Sequence, residues 1–193
     1  RPPHLKSWRD GWRHLRFLLL YSPRWLFLFP GFTLFVLGAI GMAVLLPGPV
    51  EVRGVTLDIH TLFYSALAML VGTQFVLFWV FTKLYGMREG FLPLDPGFLG
   101  IMRFVTLEIS LIVSAALLIT GVGLALYAFS DWGAGAFGAL TPSISMRYVI
   151  PSGLAIMLGF QLASGTFFIS VLGIRSRRGD AARALERDSA DAA

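Results

Sequence analysis

SALAMLVGTQFVLFWVFTKLYGMR, residues Ser65–Arg88, is the stretch from which the fold is read. Together with the preceding Ile59–Tyr64 it runs to Thr82 without a formal charge, and the first cation is Lys83. A hydrocarbon core about 30 Å thick takes about 20 residues of helix, so Ile59–Thr82 is long and apolar enough to cross one. Three further runs have the same character: Leu26–Leu46, Phe104–Phe129 and Tyr148–Ile174. The connections between the four carry breakers, namely Pro47-Gly48-Pro49, then Pro93 with Asp95-Pro96-Gly97, then Gly133, Gly135 and Thr141-Pro142. The pattern predicts an all-α membrane protein with four transmembrane helices over residues 26–174.

The same stretch recurs. Shifted by 87 residues, Ser65–Arg88 falls on Ser152–Arg175, and the pairs Ser65/Ser152, Leu67/Leu154, Ala68/Ala155, Gly72/Gly159, Gln74/Gln161, Phe81/Phe168, Gly86/Gly173 and Arg88/Arg175 coincide. Apolar low-complexity sequence rarely matches a glutamine, two glycines and an arginine in one register, so two duplicated helical hairpins are expected. Each hairpin starts and ends on the same side, which makes the repeats parallel, unlike the inverted repeats of many transporters. Small residues let helix backbones approach closely in lipid, and a buried amide can bridge to a neighbour. Gly72 and Gly159 are accordingly read as packing positions, with Gly121 and Gly123 in the third span and Gly38 and Gly41 in the first as the same device, and Gln74 and Gln161 as the bridge between the second and fourth spans, a substrate contact being the other reading.

Composition agrees with a lipid solvent. Of 193 residues, 56% are hydrophobic and 14% charged, with a mean hydropathy of +0.73, whereas soluble domains carry about 25% charged residues. The net charge of +5 is concentrated: six Lys and Arg up to Arg24, three in Lys83–Arg103, five after Ile174, and one each, Arg53 and Arg147, in the other two connections. This asymmetry predicts that both termini and the middle loop are cytoplasmic, and it suits an anionic membrane surface better than nucleic acid. With no cysteine, disulfides and thiolate metal sites are excluded. His4, His14 and His60 are too scattered for a metal site. The tail, residues 175–193, is polar and Ala/Asp-rich and is expected to be disordered.

Residues 1–25 read as a basic amphipathic helix. Ser7 and Asp10 form a capping pair, Trp8, Trp12, Leu15 and Leu19 share one face, and Arg9, Arg13 and Arg16 share another. Pro23 ends it, and Arg24-Trp25 opens the first span with an interfacial cation and ring. Such a helix lies in the membrane interface, with Trp8, Trp12 and Trp25 at the acyl boundary and guanidinium groups among phosphates. Glu108 is the carboxylate placed inside a predicted span. Unpaired in hydrocarbon it would cost at least about 2.5 kcal/mol, so a cation such as Lys83 or Arg103 is expected beside it, as a structural pair or as part of a polar entry for a lipid head group.

Three strings carry a resemblance: SWRDGWRHLRFLLLYSPRWLFLFPG (Ser7–Gly31), TKLYGMREGFLP (Thr82–Pro93) and GFQLASGTFFISVLGIRSR (Gly159–Arg177). They resemble the membrane region that follows the catalytic domain in bacterial family 2 glycosyltransferases related to polyprenyl-phosphate (dolichyl-phosphate) mannose and glucose synthases. The resemblance implies a parent enzyme whose cytoplasmic GT-A domain, with a divalent metal (Mg or Mn), transfers a sugar from a nucleotide sugar to polyprenyl phosphate. The chain has no Asp-x-Asp motif and no alternating strand pattern of a nucleotide fold, so no catalytic residue is assigned and the chain is expected to be the membrane part of a longer enzyme of the inner (plasma) membrane. By resemblance, Arg9, Arg13, Arg16 and Arg24 would hold the acceptor phosphate, to which a planar guanidinium is suited. Two other readings stand beside this one: a small four-helix transporter or flippase-like protein, and a purely structural anchor.

Overall fold

The computed structural model describes residues 11–12, 22–104, 106–134, 138 and 142–191, with side chains up to Val171 apart from those of residues 103 and 104. Most of the expected helix over residues 1–25 therefore lies outside the described residues. Within them the chain is four membrane-length helices, a small β-hairpin and one short helix. Helix α1 covers Arg24–Leu45, β1 Val50–Val52, β2 Val55–Leu57, α2 Ile59–Arg88, α3 Pro96–Phe104, α4 Leu107–Ala134 and α5 Pro142–Asp191. The four long helices are apolar and long enough to cross a membrane, and the protein is a multi-pass membrane protein.

Each departure from the expected spans has a local cause. Helix α1 begins with a π-helical turn, Arg24–Leu28, closed by the Phe29 amide donating to the Arg24 carbonyl. Pro30 follows; it has no N–H and its ring would clash with the carbonyl four residues back, which the wider turn relieves. The connection after α1, expected only as a Pro-Gly-Pro turn, folds into an antiparallel hairpin pairing Val50 with Leu57, Glu51 with Thr56 and Val52 with Val55. Its two-residue turn sets Arg53 at φ +50° and Gly54 at φ +80°, the left-handed pair that a type I′ turn requires. Helix α2 runs on to Arg88, so Lys83 lies inside it and not in the loop. Helix α5 continues as far as Asp191, through a stretch expected to be a disordered tail; this stretch is rich in Ala and Arg, good helix formers, with no proline to stop it.

The helices pack in a row. Helix α1 lies on α2, α2 on α5 and α5 on α4, so the two hairpins meet along α2 and α5. Close backbone approach is achieved with glycine. A Cβ on Gly72 would stand 2.6 Å from the Gly31 carbonyl oxygen and 2.6 Å from the Phe35 nitrogen, and one on Gly38 would stand 2.5 Å from the Ser65 oxygen. The second hairpin uses Gly121 and Gly159 in the same way. A Cβ on Gly121 would meet the Ser152 oxygen at 2.8 Å and Ile156, and one on Gly159 would meet Leu118 and the Ser114 oxygen at 3.0 Å. Away from these seams the long helices expose apolar side chains all round, including Ile112, Ile119 and Leu126 of α4, as lipid-facing helices do.

Candidate functional site

Two ends of the bundle differ in charge. The end holding Arg24, Lys83, Arg88 and Arg103 is here called the basic end, and the opposite one, with β1 and β2, the hairpin end. At the basic end Leu94-Asp95-Pro96-Gly97 starts helix α3. Pro96 takes the first helical position, where its missing N–H costs nothing, and Asp95 Oδ1 accepts from the Phe98 amide at 3.1 Å as an N-cap. The other oxygen, Oδ2, accepts from Lys83 Nζ at 2.5 Å and from Arg24 Nη2 at 3.0 Å. One carboxylate thereby ties the start of α1, the last turns of α2 and the start of α3.

The apolar faces of α2 and α3 bring these charges together. Phe98, Val80 and Met87 are buried, with Trp79, Leu84, Leu92 and Met102 packed around them, and Trp79 meets Phe98 edge to face at 5.3 Å. Lys83 Nζ sits 4.5 Å from the Phe98 ring centre and 5.4 Å from that of Trp79, within cation–π range. The Lys83 side chain is 8% exposed, against 31% for Asp95 and 57% for Arg24. The hydrogen bond from Lys83, then that from the Phe98 amide, hold the Asp95 carboxyl down to a pKa of about 2. Ser22, Arg24, Lys83, Leu92 and Pro93–Pro96 line a cleft of about 450 Å³ beside it. The cleft brings together one exposed guanidinium, one buried ammonium and a carboxylate that offsets part of their charge.

The residues singled out from the sequence are distributed as follows. Arg24 belongs to this cluster, while Arg9, Arg13, Arg16 and Trp8 lie outside the described residues. Trp12 and Trp25 are exposed, and Trp25 packs on Phe29 with ring centres 4.8 Å apart. Gln74 and Gln161 meet at the α2–α5 seam, Gln161 Nε2 donating to Gln74 Oε1 at 2.5 Å. Gly72 and Gly159 pack within their own hairpins, against α1 and α4 respectively. Glu108, placed inside a span by the sequence reading, stands in the first turn of α4 because Thr106 starts that helix, its hydroxyl accepting from the Ile109 amide at 3.3 Å. A helix N-terminus favours negative charge, and the position is exposed. Lys83, a cation expected beside Glu108, is engaged by Asp95 instead, and Glu108 has no ion pair among the described residues.

Sequence reasoning missed Asp95, Lys83 and Phe98 as one unit. Asp95-Pro96 was read as a turn, although Asp followed by Pro is also a helix-start signal. The hairpin end holds a second missed cluster. Arg147 of α5 reaches across to α1, donating from Nη1 to the Leu45 carbonyl and from Nη2 to Asp58 Oδ1, while its Nε donates to the Ser143 carbonyl at 2.9 Å. No group of three His, Cys, Asp or Glu able to hold a metal occurs among the described residues.

Residues 80–173, from the end of α2 through α5, match the family described as the glycosyltransferase family 2 C-terminal transmembrane region. The low-salt glycan biosynthesis hexosyltransferase Agl6 of Haloferax volcanii is 33% identical over 173 residues, which take in 88% of this chain and 40% of that protein. The chain thus spans well under half the length of this curated relative, which is archaeal and not bacterial. No solved structure matches it. The four apolar helices, the match over the basic-end loop and second hairpin, and the relative agree: this chain is a membrane region of the family 2 glycosyltransferases, with residues 80–173 belonging to their C-terminal transmembrane region.

Proposed function

We propose that this region anchors a glycosyltransferase in the membrane and presents a polyprenyl phosphate acceptor, at its basic end, to a catalytic GT-A domain outside this chain. That domain would bind the nucleotide sugar and the divalent metal and carry the chemistry; the residues described here bind and orient. The observation supporting the reading most strongly is the convergence of Arg24 and Lys83 on a cleft at the membrane end where α3 lies against α2. A phosphate arriving there meets a guanidinium already aligned by Asp95, and the prenyl chain would continue along the apolar flank of the helices. Asp95 holds Lys83 in place, and Arg24, on the outside, is the group free to pass from carboxylate to phosphate. The basic end would face the cytoplasm, following the lysine and arginine asymmetry.

The test is a binding measurement in lipid vesicles, comparing a prenyl phosphate with the matching uncharged prenol. The phosphate is expected to bind preferentially, and Arg24→Gln to weaken it by about tenfold, the value of one charge-assisted contact, without altering the prenol. Equal binding of phosphate and alcohol would defeat the reading. Orientation is tested separately, because the chain has no cysteine: single cysteines at Pro93 and at Arg53 should be labelled from the cytoplasmic and the opposite side respectively.

A further inference from the structure

The seam between the two hairpins carries hydrogen-bonding groups in the interior of the two long apolar helices α2 and α5. Gln161 Nε2 supplies Gln74 Oε1 and approaches the Leu70 carbonyl at 3.5 Å. The remaining groups of the pair, the Gln74 amide N–H donors and the Gln161 carbonyl oxygen, have no partner among the described residues. They are not sealed in protein. They open into a groove of about 470 Å³ between α2 and α5, bounded by Val71, Met157, Phe160 and Ser164, and Met157 and Phe160 stand more than half exposed along its rim.

Lipid tails cannot satisfy an amide, and an unmet polar group in hydrocarbon is costly. The occupant of this groove must therefore offer both an acceptor for Gln74 and a donor for Gln161. A second copy of the same chain does this. Related by a two-fold axis through the groove, each copy presents an unpaired donor on Gln74 and an unpaired acceptor on Gln161, so the surface is self-complementary in the way an isologous interface requires. A prenyl or acyl chain could fill the volume and would leave both amide groups unmet.

We propose that the α2–α5 seam is the interface to a second copy of this chain, with Gln74 of each copy donating to Gln161 of the other. This inference is independent of the acceptor site, which lies at the basic end. It is tested by disulfide trapping of the full chain in lipid vesicles at high dilution, clean because the chain lacks cysteine. Ser164→Cys is expected to cross-link rapidly to itself, whereas Ile119→Cys, on the exposed face of α4, is not. Adding Gln74→Leu to Ser164→Cys should lower the trapped fraction by about tenfold or more, since two hydrogen bonds are lost per dimer. Cross-linking of Ser164→Cys no faster than that of Ile119→Cys overturns the proposal, and this comparison holds even if Gln74→Leu fails to fold. Trapping that is unchanged in a folded Gln74→Leu background also overturns it.

Discussion

The two ends of the bundle each close with a carboxylate gripped by a cation from another helix, and they are built for different purposes. At the hairpin end the Arg147 side chain is 13% exposed, its partner Asp58 is 29% exposed, and the guanidinium is spent on the end of α1, on Asp58 and on its own helix. It fastens one hairpin to the other and covers carbonyls that the last turn of α1 leaves unpaired. At the basic end the deep cation, Lys83, is likewise buried, but the second cation, Arg24, is 57% exposed. The first cluster is saturated and the second has an arm that can be exchanged. Burial decides how much each cation contributes to stability, because removing one partner of a buried pair strands the other, whereas an exposed pair is worth little.

The largest effect is therefore expected from Arg147→Gln, which should lower stability by about 3 kcal/mol, read as thermal unfolding in detergent, and leave binding of phosphate lipids unchanged. If it is as mild as a change at Arg24, the contrast between the ends is lost. A smaller effect is expected from acid. A carboxylate held at about pKa 2 contributes stability that is complete above its ordinary value near 3.8 and lost as pH falls towards 2. The docking of α3, followed by hydrogen exchange of its amides, should thus be flat from neutral pH to about 4 and loosen below. Asp95→Asn keeps the helix cap, since asparagine caps well, and should abolish that acid transition while loosening α3 at every pH. Arg24→Gln should change stability by less than about 0.5 kcal/mol and show itself in phosphate binding alone. The smallest effect belongs to Trp79→Phe. The buried indole N–H has no acceptor among the described residues, so the change keeps the edge-to-face contact with Phe98 and should leave thermal stability level or slightly higher.

Much of the fold was legible before any coordinates. Uncharged runs of membrane length mark the four helices, because in lipid every backbone group must be paired within its own helix. The cues that failed were local or long-range. Arg53-Gly54 flanked by Val-Glu-Val and Val-Thr-Leu is a hairpin signal that the stronger Pro-Gly-Pro breaker beside it masks. Asp95 reads as a loop residue because nothing in the chain shows that Lys83, 12 positions earlier, and Arg24, 71 positions earlier, converge on it. Arg147 drew notice only as a lone cation, though it joins Leu45 from 102 positions away.

From its sequence by itself the protein is a four-helix membrane protein with glycines and glutamines in register and cations gathered at one end, because apolar length, small residues and charge asymmetry are properties of single segments. The tertiary structure alone decided which polar groups meet: Asp95 with Lys83 and Arg24, Arg147 with Asp58, Gln74 with Gln161. Those pairings depend on how far each helix slides along its neighbour, which is set by where glycines admit backbone contact and where caps start and stop each helix. Helix-to-helix register of that kind is not written in any one segment.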